Sequence, residues 1–415
     1  MGAIRSILKT EFRDDGVGTL DMQKNCPNFL EIFGSKSVLY ENDKARHMML
    51  RRLVGGAMSP DALVQSVPAI ERAANSQIDR VVGAYSVHGK TVTMHDVCND
   101  FTVDVAWRQI LGLDLNEEEA GEFHKQCRLW MNGMFNPLYF VPFKLPFVRR
   151  TKTYQAKDYM VRLVESKVSE LERHGPDGST LSNMYFATDD DGSTRLSRQE
   201  LIDNALILIV AGSETSSSTL VNTMLLLGLH KDILRKLQVE QKAVIEKYGT
   251  SELTKDMLDK DCIYLDAVIR ESMRIRPIPA MEVRQTQQTI ILDGEQIPKK
   301  NYIYANVRAT HDQDPSVREN DTDDHMDLMR GYKPERWLDS NTKPKEYIPW
   351  GMGARRCLGE KLAVTEMKIF LATFARRIQD FDLEDVSTAE DVNWKRMSVI
   401  PFPDDGVVIR PTALP

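Results

Sequence analysis

The chain has 415 residues, of which 42% are hydrophobic and 28% charged, a composition typical of a globular protein with a large core. A formal net charge of −7 argues against a nucleic-acid-binding surface as its main function. No apolar run reaches the roughly 18 residues that a membrane-spanning helix requires, and the N-terminal residues are not typical of a signal peptide. Five scattered cysteines form no CxxC pair, which favours a reducing compartment.

Helical periodicity dominates the sequence. Apolar residues recur at helical spacing in residues 59–85, 93–111 and 155–174. A capping-box pattern from Ser197 to Glu200 opens a helix of about 197–230, which is apolar on nearly every side and is predicted to run through the core. Short strands are predicted in residues 90–95, 289–297, 301–308 and 406–411. The expected fold is mainly α with small β-sheets, in one domain over residues 1–415.

Inside the long predicted helix, the segment AGSETSSS carries Gly212 and a group of hydroxyl residues around Glu214. Hydroxyl groups hydrogen-bond back to helix carbonyls and can bend or open a helix, so a break is expected here. One interpretation is a polar notch in an apolar wall, where Thr215 and Glu214 hold water and transfer protons. The alternative is a helix that contacts a close neighbour through small residues.

Two further segments carry charged residues in a regular pattern. In VIRESMRIRP, Glu271 and Arg274 lie three residues apart and therefore on one face of a helix. An exposed ion pair is the simplest interpretation, and such a pair contributes little to stability. In YKPERWLD, Arg336 lies in a proline-containing segment that by itself predicts only a turn.

Cys357 lies in the segment WGMGARRCLGEK, just before an amphipathic helix. A lone cysteine is usually a small buried hydrophobic residue. Here three nearby glycines would let backbone or a flat ligand approach the sulfur, and Arg355 and Arg356 are expected to lower the pKa of the thiol. Backbone N–H groups at the start of the following helix would stabilise a thiolate. The segment is therefore a candidate for a thiolate ligand of iron, with a buried structural cysteine as the alternative.

In chain order, these four motifs resemble those of the cytochrome P-450 family of haem-thiolate monooxygenases. The matching patterns are A-G-x-E-T at 211–215, E-x-x-R at 271–274, P-E-R-W at 334–337 and W-G-x-G-x-R-x-C-x-G at 350–359. Trp350 replaces the phenylalanine that usually opens the last motif. The resemblance implies a cytochrome P-450 fold. About 46 residues precede His47, fewer than the family usually has, so the first helix and strands of that fold are expected to be absent.

The resemblance also implies a cofactor and assigns residues to it. Haem b is expected to be bound through its iron by the Cys357 thiolate, with Thr215 and Glu214 delivering protons on the opposite face. The expected members of the family's buried structural triad are Glu271, Arg274 and Arg336. The implied cofactor-binding residues are His47, Arg51, Arg284, Trp350, Gly353, Arg355 and Gly359.

Expectations for substrate and partners follow from the same resemblance. The substrate is expected to be a lipophilic sterol-, retinoid- or terpenoid-like molecule, hydroxylated with dioxygen and with electrons from NAD(P)H through a partner reductase or ferredoxin. The pocket walls are expected to include Ala205, Leu208, Ile209, Ala211, Ala280, Met281 and Val399. A basic face for an acidic electron donor is expected from Arg46, Arg52, Arg356, Lys361 and Lys368.

Residues 136–148, NPLYFVPFKLPFV, form an apolar segment flanked by basic residues. Two interpretations are a loop that dips into a membrane surface and a loop packed on its own core. The sequence predicts no transmembrane segment, and the parent family suggests the cytoplasmic face of the endoplasmic-reticulum membrane; otherwise the expected location is the cytoplasm.

Two other functions use the same fold. One is a peroxide-driven oxygenase or an isomerase of oxygenated lipids, and the other is an inactive, haem-binding truncated form. Thr215 favours the monooxygenase, because the other reactions have less need of a proton relay. The motif residues are all retained, which argues against loss of function by mutation.

Overall fold

The computed structural model describes residues 2–9, 11, 17–18, 25–85, 90–189, 192–321, 324–394 and 400–413. Over these residues the fold is mainly α-helical with small antiparallel sheets, so the predicted fold class is confirmed. The helices are α1 (Gly2–Lys9), α2 (Pro27–Phe33), α3 (Lys44–Gly56), α4 (Pro60–Tyr85), α5 (Met94–Val105), α6 (Glu117–Met134), α7 (Lys152–His174), α8 (Thr180–Phe186), α9 (Arg198–Leu229), α10 (Lys231–Tyr248), α11 (Lys255–Lys260), α12 (Ile263–Ile275), α13 (Val307–Asp312), α14 (Pro315–Arg318) and α15 (Glu360–Arg377).

The strands pair in small antiparallel sheets. They are β1 (Val17–Gly18), β2 (Val92–Thr93), β3 (Met281–Thr286), β4 (Ile290–Leu292), β5 (Glu295–Ile297), β6 (Tyr302–Asn306), β7 (Ile378–Leu383) and β8 (Val408–Ala413). The sheet orders are β1-β3-β6 and β2-β8-β7, with β4-β5 as a hairpin that turns at Asp293 and Gly294. The four strand segments predicted from the sequence are confirmed, whereas β1, β3 and β7 were not predicted.

Helix α9 is the central element of the core. The Ser197 side chain accepts from the N–H of Glu200, and the Glu200 carboxylate accepts the N–H of Ser197 (2.9 Å), which completes the predicted capping box. The helix continues for 32 residues without interruption, so the break predicted at AGSETSSS is wrong. Thr215, Thr219 and Thr223 do donate to the carbonyls four residues earlier, but these bonds leave the helix intact.

Two hydrophobic clusters lie along α9. Its residues 220–227 pack with apolar residues of α4, α5, α10, α12 and α15, and its residues 201–210 pack with those of α2, α6 and α7. The middle of the helix therefore lies where the two clusters adjoin. Among the described helices, none combines the length and the apolar composition that crossing a bilayer requires.

Candidate cofactor-binding and active site

The loop that holds Cys357 runs from Trp350 to Gly359 and leads directly into α15. The backbone N–H of Cys357 donates to the carbonyl of Trp350 (2.8 Å), which closes the loop on itself. Gly353 has a φ of +67°, and a Cβ atom there would lie 2.3 Å from the carbonyl oxygen of Leu8, so glycine is needed for the loop to pack against α1. Gly359 has no such neighbour within 4 Å. Gly353 is thus required by the protein's own backbone.

Cys357 is exposed, whereas the other four cysteines are buried. Desolvation nevertheless raises the pKa of its thiol above the ordinary value. The Gly359 N–H, which hydrogen-bonds to the sulfur, and the charges of Arg51 and Arg356 act to lower that pKa but do not outweigh burial. The lowered thiol pKa predicted from the sequence is therefore wrong. Because the residue is exposed and its thiol is nevertheless desolvated, we infer that the sulfur faces a recess in the protein.

Basic side chains of α3 lie beside this recess. His47 is buried (1% exposed), and burial together with the charges of Arg355 and Arg51 lowers its pKa to about 4, so the imidazole is neutral at pH 7. Arg51 lies one helical turn further on, and burial lowers its pKa while its charge interacts with Cys357 and Arg355. Within the described ranges, no carboxylate pairs with Arg51. The structure thus brings these predicted cofactor ligands together near the sulfur.

Arg284 of β3 and Arg355 of the Cys357 loop share one carboxylate. Glu11 accepts from Arg284 Nε at Oε2 (2.9 Å) and from Arg355 Nε at Oε1 (2.7 Å). Arg355 also donates to the backbone carbonyls of Val38, Leu39 and Glu41. Arg284 donates to Glu282 (2.8 Å). Both predicted cofactor ligands are therefore already bonded to acceptors of the protein itself.

One stripe in the middle of α9 remains accessible. Leu208, Ala211, Gly212 and Thr215 recur at helical spacing and have accessible surface, whereas the α9 residues before and after this stretch are mostly buried. The Thr215 hydroxyl donates to the Ala211 carbonyl (2.6 Å). Glu214 is half-buried next to it. The stripe coincides with the segment in which the sequence predicted a notch, although it lies on a continuous helix.

Two leucines place the α9 stripe and the Cys357 loop at the same junction. Leu208 of α9 and Leu358, which directly follows Cys357, are partly buried, and each packs against both hydrophobic clusters. A Cβ atom at Gly55 of α3 would lie 2.9 Å from the Leu358 side chain. Helices α3 and α9 and the Cys357 loop therefore meet where the two clusters adjoin.

A buried carboxyl group that the sequence did not single out joins α15 to α9. The Ser216 hydroxyl donates to Glu366 Oε1. Burial raises the pKa of Glu366 to about 8, although the hydrogen bond from Ser216 acts to lower it. The carboxyl group is therefore mostly protonated at pH 7. It ties the helix that follows Cys357 to the residue next to Thr215.

Glu271, Arg274 and Arg336 form one buried network. Arg274 donates to both carboxylate oxygens of Glu271 (2.9 and 2.8 Å), and Arg336 Nε donates to one of them (2.8 Å). Trp337 Nε1 donates to the same carboxylate (2.9 Å), and Asp321 accepts from Arg336 (3.1 Å). Burial would raise the pKa of Glu271, but Arg274 and Arg336 hold it below its ordinary value. The predicted triad is present, and the sequence missed Trp337 and Asp321.

The residues predicted to line a substrate pocket differ in exposure. Those with accessible surface are Leu208, Ala211, Ala280 and Met281. Ala205 and Ile209 are fully buried in the cluster around the first half of α9, so they would meet a substrate only after their neighbours move. Val399 lies outside the described residues. Trp350, predicted to bind the cofactor, borders a cavity of about 110 Å³ that Arg270, Tyr347 and Glu360 also line.

The basic face predicted for an electron donor is largely neutralised. Lys368 is buried and pairs with Asp266 (2.9 Å), so its predicted place on this face is wrong. Arg356 forms a two-fold hydrogen-bonded pair with Glu360 (2.8 Å for each bond). Arg46 pairs with a buried carboxylate of α9. Acidic partners therefore neutralise three of the five basic residues predicted for this face. The partners of Lys368 and Arg46 are distant in sequence, and the partner of Arg356 lies one helical turn away.

Comparisons with known proteins agree with this geometry. A family model described as cytochrome P-450 matches residues 21–403. Cytochrome P-450 26B1 of Bos taurus is 26% identical over 376 residues, which cover 88% of this chain and 69% of the relative. Cyclooctat-9-en-7-ol 5-monooxygenase of Streptomyces melanosporofaciens is 29% identical over 297 residues, 70% of this chain and 62% of the relative. Cytochrome P-450 3A11 of Mus musculus is 29% identical, and the match covers 77% of this chain and 65% of the relative.

Solved structures with the same fold cover almost the whole chain. Cyanobacterial CYP120A1 with retinoic acid bound superimposes with a TM-score of 0.78 at 22% identity, over 98% of this chain and 86% of that one. The heme domain of a cytochrome P-450DA mutant gives a TM-score of 0.80 at 21% identity with the same coverage. At these identities the likeness establishes the fold alone. Since the family model also matches most of its residues, this chain belongs to the cytochrome P-450 family.

Proposed function

We propose that this protein is a haem-thiolate monooxygenase that hydroxylates a lipophilic small molecule with dioxygen and electrons from NAD(P)H. The observation that carries the proposal is Cys357, an exposed residue in the loop that meets α3 and α9, whose sulfur accepts a hydrogen bond from the Gly359 N–H. An exposed cysteine with a backbone N–H aimed at its sulfur suits a metal ligand better than a core residue. The family is generally one of monooxygenases, which supports the reaction class.

The residues around Cys357 fit haem, a flat ring with an anionic edge. Arg51 has a partly desolvated charge and no carboxylate partner within the residues that the structure describes, and neutral His47 lies beside it. Arg284 and Arg355 hold the Glu11 carboxylate, so they can bind the carboxylates of propionate groups. The Gly359 N–H is placed to stabilise a thiolate. When bound, haem would supply the thiolate-ligated iron that activates dioxygen.

Residues of the α9 stripe would supply the protons that hydroxylation consumes. Because the Thr215 hydroxyl donates to the Ala211 carbonyl, its oxygen can accept a hydrogen bond from water. Glu214 is half-buried and carries a carboxyl group that can exchange protons with solvent. We assign the orientation of water to Thr215 and the supply of protons to Glu214.

The substrate class is supported by the apolar recess and by similar proteins. Leu208, Ala211 and Met281 offer accessible apolar surface. A similar chain is named cyclooctat-9-en-7-ol 5-monooxygenase, and a similar structure contains retinoic acid, and both compounds are mostly hydrocarbon. We propose a terpenoid-, retinoid- or sterol-like substrate and a reductase or ferredoxin as electron donor. The continuous family match over 21–403 supports one domain.

Replacing Cys357 with serine tests the proposed ligand. The haem-reconstituted protein, reduced and exposed to carbon monoxide, is expected to show a strongly red-shifted Soret band, because thiolate donates electron density to the iron. The Cys357→Ser variant is expected to lose this band completely, since a serine hydroxyl remains protonated at neutral pH.

The matched control is Cys262→Ser, because Cys262 is a buried cysteine outside the recess. This variant is expected to keep the red-shifted band. A wild-type protein that takes up no haem, or whose band is typical of a neutral ligand, would contradict the proposed function. If the band is present but turnover depends on peroxide and not on NAD(P)H with a reductase, a peroxide-driven oxygenase would replace the monooxygenase.

We also propose that the segment between α6 and α7 contacts a membrane surface peripherally. Its exposed apolar side chains are Phe135, Leu138, Phe140, Phe143 and Phe147. Lys144 and Arg150 are exposed nearby and suit anionic lipid headgroups. The buried Asn28 side chain donates to the Phe143 carbonyl and accepts from the Leu145 N–H (both 2.8 Å), which fixes the segment on the core while the Phe143 side chain stays exposed.

Phe143→Ser is expected to weaken binding to vesicles of phosphatidylcholine and phosphatidylserine by about tenfold, because burial of one phenylalanine contributes about 1.5–3 kcal/mol. The measurement is co-sedimentation at increasing lipid concentration. Ile291→Ser is the control, since Ile291 is equally apolar and 78% exposed but lies on the β4-β5 hairpin. Equal losses for both variants, or none for Phe143→Ser, would contradict contact through this segment.

A further inference from the structure

Glu11 connects the N-terminal part of the chain to the Cys357 loop. Its two carboxylate oxygens are divided between two arginines, with Arg284 Nε at 2.9 Å and Arg355 Nε at 2.7 Å. The Glu11 side chain is 1% exposed, and those of Arg284 and Arg355 are 8% and 6% exposed. Helix α1, which precedes Glu11, packs on the same loop, where the Leu8 carbonyl meets Gly353. The carboxylate is therefore a buried counter-ion of two arginines that come from different parts of the chain.

The same two arginines are the proposed ligands of the anionic edge of haem. A guanidinium group has five N–H donors, and those that bind one carboxylate are not free for another. Arg355 directs Nη1 to the carbonyls of Val38 and Leu39 in addition to its bond with Glu11, and Arg284 directs Nη2 to Glu282. A carboxylate at this position also neutralises positive charge that would attract a propionate group.

We propose that Glu11 is an internal competitor for the propionate groups of haem. It stabilises the folded chain by pairing with Arg284 and Arg355, and by the same contacts it weakens the binding of the cofactor. The inference rests on the proposed function, because it takes these arginines as cofactor ligands. Removing the charge of Glu11 is therefore expected to lower the stability of the folded chain and to strengthen the binding of haem. If Glu11 only maintained the fold, its removal would weaken both.

The test uses Glu11→Gln, which removes the charge with little change in size. Haem-reconstituted full-length protein is mixed with an excess of apomyoglobin, and the rate of haem transfer is followed by absorbance. The variant is expected to release haem at least fivefold more slowly than the wild type. In a parallel urea titration of the haem-free chain, the variant is expected to unfold at a lower urea concentration.

Two further variants separate the contact from general electrostatics and from misfolding. Glu41→Gln is the matched control, because the Glu41 carboxylate lies near Arg355 but accepts from the Asp43 N–H and not from the arginine. It is expected to change haem release less than twofold. Glu11→Asp keeps the charge but is one methylene shorter, so it can reach the two arginines less well. Its rate of haem release is expected to lie between the rates of the wild type and of Glu11→Gln. If the glutamine variant fails to fold, Glu11→Asp still tests the proposal.

The outcomes are distinguishable. Slower haem release together with lower stability of the haem-free chain supports competition. Faster release, or an unchanged rate, overturns it, and so does an equal effect of Glu41→Gln. A wild-type chain without a red-shifted Soret band would instead refute the proposed function, and the inference would fall with it. A red-shifted band in the wild type with faster release from Glu11→Gln would leave the proposed function intact and refute the inference alone.

Discussion

Glu271→Gln is expected to lower the free energy of unfolding by about 3–5 kcal/mol, a large part of the stability of a typical domain. The carboxylate of Glu271 is fully buried and accepts hydrogen bonds from Arg274, Arg336 and Trp337. Glutamine keeps the shape but removes the charge, so two buried guanidinium groups lose their counter-ion. The measurement is urea denaturation of the haem-free chain followed by far-ultraviolet circular dichroism.

Glu246→Gln is the control for this change. Glu246 is 67% exposed and faces Lys242 at 4.0 Å, so its replacement is expected to change the free energy of unfolding by less than about 0.5 kcal/mol. If Glu271→Gln cost no more than this exposed substitution, the network would not stabilise the fold. Asp321, which accepts from Arg336, would then be sufficient as the counter-ion of that arginine.

Glu366→Gln is expected to remove much of the dependence of stability on pH between about 4.5 and 8. Burial raises the pKa of Glu366 from 4.5 to about 8, so the folded chain holds a proton that the unfolded chain releases over this range. The stabilisation by this group is therefore complete below pH 4.5 and is lost as the pH rises through 8. Glutamine, which is neutral and can still accept from Ser216, is expected to make the chain roughly 2–4 kcal/mol more stable than the wild type at pH 8.

The measurement is the free energy of unfolding of wild type and variant at pH 5 and pH 8. The two chains are expected to differ mainly at pH 8, because the wild-type carboxyl group is protonated at pH 5. Glu246→Gln again serves as the control, since it makes the same substitution at an exposed carboxylate. A variant that is less stable than the wild type at pH 8 would contradict a buried neutral carboxyl group at this position.

The long helix, the strands flanked by turn residues and the motif residues could be predicted because each leaves a local pattern. The capping box at Ser197 and the apolar run that follows gave the bounds of α9 to within one residue. Strand β7 was missed because α15 ends at Arg377 and the strand begins at the next residue, Ile378, with no glycine or proline to mark the boundary. The predicted break in α9 failed because threonine hydroxyls can bond to helix carbonyls without opening the helix.

The partners of charged residues could not be predicted, because they are set by tertiary contacts. The sequence predicts that Lys368 is a surface residue of an amphipathic helix, but it is buried and pairs with Asp266. Glu366 has no unusual neighbours in sequence, and its raised pKa arises from burial against α9. The thiol of Cys357 was expected to have a lowered pKa from the adjacent arginines, but desolvation outweighs their charge. Burial depends on tertiary contacts, so it cannot be predicted from the residues adjacent in sequence.

The contact between Glu11 and Arg355 also constrains the time at which the site can form. The two residues are 344 positions apart. A ribosome that adds about 5–20 residues per second produces Arg355 roughly 20–70 s after Glu11. Arg284, the other partner, is 273 positions from Glu11, so the carboxylate has neither arginine partner for most of this interval, and α1 lacks the glycine loop on which it packs until the end of it. The site can therefore assemble only after a long part of the chain has been made, and the N-terminal segment that carries Glu11 is without these contacts until Arg355 has emerged from the ribosome.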